Sequence, residues 1–148
     1  MRKIDFSKNK AQTVLAPNWI GDAAMAAPFF ASLRANFPDS KIRVIINPWI
    51  EGLFENYPWV DEIIKLDKNS FWYLFKIFRF GKFRKKLSSD NFWLLPNSFR
   101  SGLIGYLSGA ESRIGYSTNF RKQLLTNPIF LPENKSQNLM DYYLGLII

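Results

Sequence analysis

Cysteine and histidine are both missing from this sequence of 148 residues. The first absence removes disulfides, thiolate nucleophiles and most zinc sites. The second removes the commonest metal ligand and the commonest general base. Acid–base chemistry is left to the twelve Asp and Glu side chains, a tyrosine or a lysine, and no metal site is expected. No apolar run approaches the roughly 18 residues that a membrane-spanning helix needs. The basic start "MRKIDFSKNKAQ" leads into no signal-peptide core. A cytoplasmic location is therefore expected. Neither a G-x-G-x-x-G turn nor a G-K-[ST] phosphate loop occurs, which argues against a dinucleotide dehydrogenase and a P-loop NTPase.

What is present suits one domain with a packed core: 47% of residues are apolar and 17% aromatic. The net charge of +8 favours an anionic partner. Strand-like runs at "TVLAP" (Thr13–Pro17), "KIRVIIN" (Lys41–Asn47), "EIIKLD" (Glu62–Asp67), "NFWLLPN" (Asn91–Asn97) and "SRIGY" (Ser112–Tyr116) alternate with helical segments. The helices are expected up to Asn36, around Glu51–Asn56, over Phe71–Leu87, to about Gly109, and in "SQNLMDYYLGLII". A loop holding Pro128 and Pro132 precedes the last one. This alternation predicts an α/β fold, a Rossmann-like and mainly parallel sheet with helices on both faces. Ligands of such sheets sit beyond the carboxyl ends of the strands. Loops Pro17–Asp22, Pro96–Ser101 and Gly115–Lys122 are expected to share that rim. The apolar ending "GLII" suits either more protein docking there or a helix packed on its own sheet.

Asp22 follows Gly21 where the first strand turns into a helix. An Asp there suits a helix start, where open N–H groups and the macrodipole favour it; it equally suits a base facing a substrate, with Gly21 allowing close backbone approach. Pro28 is tolerated only in a first helical turn, so Asp22 is also compatible with an irregular loop before the regular helix. "LLPNSFRSG" brings Asn97, Ser98, Arg100 and Ser101 to a strand end, as an anion or sugar site or as a capped helix with an exposed Arg. Arg113, Arg121 and Lys122 add cations at another strand end. In "FWYLFKIFRFGKFRKK" seven aromatics interleave with Lys76, Arg79, Lys82, Arg84, Lys85 and Lys86 and with no acid. That segment suits an anionic membrane surface, nucleic acid, or a surface helix whose basic stems cover apolar neighbours.

Three segments, "APNWIGDAAMAAPFFASLRANFPDSKIRVIINPW", "FWLLPNSFRSGLIGYLSGAESRIGY" and "LMDYYLGL", resemble in this order the N-terminal half of the lipopolysaccharide heptosyltransferase II enzymes of glycosyltransferase family 9. Its signatures are W-[IV]-G-D-x-x-M and L-P-N-S-[FW]-[KR]-S. It covers nearly all of 13–148, with 65–89 matching only in basic, helical character. The resemblance implies residues 1–148 as the acceptor-binding Rossmann-like domain of a GT-B glycosyltransferase. It implies a facing C-terminal domain that binds the donor ADP-heptose and is expected to lie outside this chain. It implies metal-independent inversion with no cofactor, Asp22 as base, and a lipid A–Kdo–heptose acceptor. Asn18, Trp19, Gly21, Asn97, Ser98, Arg100, Ser101, Arg113, Arg121 and Lys122 would meet that acceptor. The basic aromatic segment would hold the enzyme peripherally on the inner face of the inner membrane. Nucleic acid is not expected as a partner, and the chain alone is expected to be inactive. Two competitors stand beside this: a non-catalytic basic α/β module on anionic membrane or nucleic acid, and a family 9 transferase of a different sugar.

Overall fold

The computed structural model describes residues 11–67, 91–131 and 138–147. Its frame is a six-stranded sheet in the order β3-β2-β1-β4-β5-β6. The strands are β1 (Gln12–Leu15), β2 (Ile42–Ile46), β3 (Glu62–Lys65), β4 (Asn91–Leu94), β5 (Ser112–Tyr116) and β6 (Asn127–Ile129). Every neighbouring pair is parallel. Leu15 lies level with Ile45 on one side and Leu94 on the other, so the ends of the three central strands form one ledge.

Such strands must be apolar on both faces, and these are. Val14, Val44, Ile46, Trp93 and Ile114 point into one core, while Leu15, Ile45, Phe92 and Leu94 point into a second. The first core is covered by α1 (Ile20–Met25), α2 (Ala27–Asn36), α3 (Glu51–Phe54) and α5 (Leu139–Leu144) through Ala23, Phe29, Phe30, Leu33, Phe54 and Tyr143. The second receives Ile104 of α4 (Phe99–Leu107). Phe29 meets Trp93 edge-on at 5.8 Å, and Phe30 meets Phe54 at the same distance. Each such pair adds about 0.5–1.5 kcal/mol beyond the area it buries.

Three features depart from the sequence expectation. The first helical stretch breaks at Ala26 into α1 and α2 because Pro28 has no N–H for a helix interior; it sits in the first turn of α2, where none is needed. Pro128 lies within strand β6 instead of a loop. Among the described residues that strand pairs only with β5, and an edge strand tolerates the missing donor. Single 3-10 turns cover Pro48–Ile50 and Lys122–Leu124. The expected helix over Phe71–Leu87, with its six cations, lies outside the described residues. Among the described residues no helix is long and apolar enough to cross a membrane.

Candidate acceptor cleft

The chain leaves β1 toward β2 on one side and later returns to place β4 on the other. Connections therefore diverge above the β1–β4 pair, and a parallel sheet opens a crevice at such a switch point. A cleft of about 350 Å³ lies there. Pro17, Asn18, Trp19 and Asp22 line it from the β1 loop and α1; Leu95, Pro96, Asn97 and Ser98 line it from the β4 loop. Leu139, Tyr142 and Tyr143 of α5 close the third side.

Asp22 occupies the first turn of α1, half-buried in the cleft wall. The N-cap position is Trp19, whose side chain accepts no capping bond, and the Asp22 carboxylate takes no hydrogen bond among the described residues. A capping role leaves a visible bond to an N–H of the first turn, as Ser98 does from Ser101 N at 3.2 Å in α4 and Asn138 does from Asp141 N at 2.9 Å in α5. Asp22 makes none. Its charge is instead felt by Tyr143. Burial raises the pKa of that phenol most, and the neighbouring Asp22 carboxylate raises it further.

The α5 wall is pinned from below. The Tyr116 hydroxyl donates to Tyr142 O at 2.6 Å, and the two rings lie 4.4 Å apart. The Tyr142 hydroxyl and Asn18 Oδ1 are buried without a hydrogen-bond partner among the described residues. Burial raises the pKa of Tyr142, opposed by the Asn97 side chain and the Arg121 guanidinium facing it. Asn97 is thus near that hydroxyl but outside hydrogen-bond geometry.

The β4 loop is held by residues that the sequence reading assigned to the acceptor. Arg121 is fully buried, not a rim cation. Its Nε donates to Tyr116 O at 2.7 Å, and its Nη1 donates to Pro96 O at 2.5 Å and Ser101 Oγ at 2.8 Å. Carbonyls at the ends of β4 and β5 need donors, and this guanidinium supplies them. Burial depresses its pKa to about 10, which leaves it charged at neutral pH. Ser101 is likewise buried and donates to Ser98 O at 2.6 Å. The loop after β5 passes through left-handed conformations at Asn119 (φ 50°) and Phe120 (φ 61°). Thr118 Oγ1 and Asn119 Nδ2 both donate to Asn97 O, at 3.0 and 2.7 Å. The third expected rim loop therefore braces the second from outside.

Asn18, Trp19, Asp22, Asn97 and Ser98 do converge on the cleft. Gly21 is exposed beside it, and the space where a Cβ would stand is open. Arg100 is exposed in the first turn of α4, outside the lining. Lys122 lies over the Phe130 ring at 5.2 Å, also outside it. Arg113 stands near the start of β5, away from the rim. It donates to Leu124 O and Ala110 O at 2.7 and 2.9 Å because its strand position faces the α4–β5 turn. Tyr142 and Tyr143 were not assigned a role from sequence. Their only signal was the "DYY" of the last helix, whose place depends on packing against α1 and α2.

The parallel six-stranded α/β sheet matches the N-terminal domain of the GT-B heptosyltransferases. The structure of the Escherichia coli ADP-heptose lipopolysaccharide heptosyltransferase II superposes with a TM-score of 0.79 at 26% identity, over 93% of this chain and 40% of that one. The family 9 glycosyl transferase of Veillonella parvula shares the fold, with a TM-score of 0.77 at 21% identity over 95% of this chain and 42% of that one. Lipopolysaccharide heptosyltransferase 2 of Salmonella typhimurium is 28% identical over 134 residues, 90% of this chain and 38% of that protein. No protein-family model matches the chain. The chain is homologous to the N-terminal two-fifths or so of the lipopolysaccharide heptosyltransferases II of glycosyltransferase family 9, and it spans that fraction of their length.

Proposed function

We propose that this chain is the acceptor-binding, base-bearing half of an inverting, metal-independent glycosyltransferase that moves heptose from ADP-heptose to the lipopolysaccharide inner core. The observation that carries this reading is the Asp22 carboxylate, set in a cleft of about 350 Å³ and free of any bond to its own helix start. An acceptor hydroxyl entering the cleft would give its proton to Asp22 as its oxygen bonds to the anomeric carbon of the donor. The bond from that carbon to the diphosphate breaks, and ADP leaves with the electron pair. Such a displacement needs neither thiol nor imidazole, which fits a chain with no Cys or His. Asn97 and Ser98 would meet acceptor hydroxyls, and Arg121 and Ser101 would act as positioning residues beneath them. Contacts to ADP-heptose would belong mainly to a second domain outside this chain. The acceptor's lipid would bring the enzyme to the cytoplasmic membrane surface as a peripheral protein.

Joining the chain to the remaining C-terminal part of the Salmonella heptosyltransferase tests the division of labour. The joined protein should transfer heptose from ADP-heptose to a lipid A–Kdo–heptose acceptor, and the 148-residue chain alone should not. Turnover by the chain alone, or acceptor binding only by the added part, would contradict the proposal.

A further inference from the structure

Two indoles stand in solvent beside the cleft. Trp19 is 68% exposed and Trp49 56% exposed, although Trp93 in the same sheet is fully buried. Trp19 ends the β1 loop and Trp49 sits in the 3-10 turn after β2, so adjacent parallel strands deliver them side by side. Their centroids are 6.0 Å apart with planes at 83°, which makes an L-shaped aromatic corner. Trp19 also lines the cleft that holds Asp22, so the corner continues the cleft outward. The cleft's other loop presents the exposed amide of Asn97 and hydroxyl of Ser98.

An aromatic face is electron-rich and attracts the partly positive C–H bonds of an apolar edge. A pyranose ring offers that C–H face on one side and hydroxyls around its perimeter. We propose that Trp19 and Trp49 form a subsite for a pyranose ring of the acceptor oligosaccharide, extending the cleft beyond Asp22. This rests on the acceptor reading above, and it adds Trp49, which the sequence reading left without a role. A membrane or protein surface would use the indoles but has no need of a carboxylate, an amide and a hydroxyl in the same hollow.

Calorimetric titration of the 148-residue chain with a deacylated glucosamine disaccharide bisphosphate bearing Kdo and heptose tests the subsite. Trp49→Ala should weaken binding about tenfold and Trp49→Phe by no more than about threefold, with thermal midpoints lowered by only a few degrees because more than half of the ring is in solvent. Undiminished affinity in both Trp19→Ala and Trp49→Ala would overturn the subsite while leaving the acceptor reading intact. No binding of the saccharide by the parent chain would overturn both. Tryptophan-dependent binding of ADP, or of phosphatidylglycerol vesicles without saccharide binding, would reassign the pair to the donor or to the bilayer.

Discussion

Replacing Gly145 by alanine opposes two effects of opposite sign. Gly145 follows α5 with φ −60° and ψ −17°, a conformation that alanine adopts freely. Judged by backbone alone, Gly145→Ala should stabilise by about 0.4–1 kcal/mol through lost freedom of the unfolded chain. The folded structure denies it room. A Cβ there would run into the Tyr116 hydroxyl and would stand 3.3 Å from Asp141 O. Tyr116 cannot swing aside, being only 3% exposed, packed against the Tyr142 ring and bonded to Tyr142 O. Overpacking of this kind costs about 1–3 kcal/mol, and displacing that hydroxyl bond costs about 1 kcal/mol more. Steric crowding wins, for a net loss of about 1–3 kcal/mol. Urea unfolding followed by tryptophan fluorescence measures it. Adding Tyr116→Phe removes the obstructing oxygen, so the double variant should lose less than the two single losses summed, by about 1 kcal/mol. Because α5 carries Tyr142 and Tyr143, Gly145→Ala should also weaken saccharide binding. A stabilised Gly145→Ala protein would refute the packing argument.

Arg121→Met removes the donors to Tyr116 O, Pro96 O and Ser101 Oγ but also relieves a desolvated charge. A net loss of about 2–4 kcal/mol is expected in urea unfolding, and an unchanged midpoint would show that the clamp contributes nothing. Alkaline titration gives a third outcome. Burial raises the phenols of Tyr57 and Tyr116 to about 12, against an ordinary value of 10.0. The folded state holds these protons more tightly, so their stabilising contribution is complete below pH 10 and is lost as pH rises toward 12. Unfolding free energy against pH should fall through that window, with phenolate absorbance rising late. Asp22→Asn should bring the Tyr143 titration downward, since the carboxylate is one cause of its elevation.

The fold was legible where β-branched and aromatic residues cluster between turn signals. Ile42–Ile46, dense in β-branched residues and closed by Pro48, lies inside the expected strand, and Ser112–Tyr116 coincides with the expected one. The parallel order followed from alternation with helices. Less legible was anything decided by tertiary neighbours. Pro128 reads as loop until an edge position removes the need for its N–H. Arg121 reads as surface charge, because nothing local announces that carbonyls 5 and 25 residues away converge on it. Asn18, Trp19 and Asp22 were readable as a cluster because one turn carries all three, and Asn97–Ser98 because another does. Tyr142 and Tyr143 reach the same hollow only after α5 has packed across the domain.

The central claim is that the Asp22 carboxylate takes the acceptor's proton. Its most direct test is single-turnover heptose transfer by Asp22→Asn in the two-domain protein, beside acceptor affinity measured on the same sample. General-base catalysis contributes about 10²–10⁴-fold, so the transfer rate should fall by that factor while affinity changes less than about threefold. A transfer rate within a few-fold of the parent's would contradict the account and leave Asp22 as a side chain of the helix start.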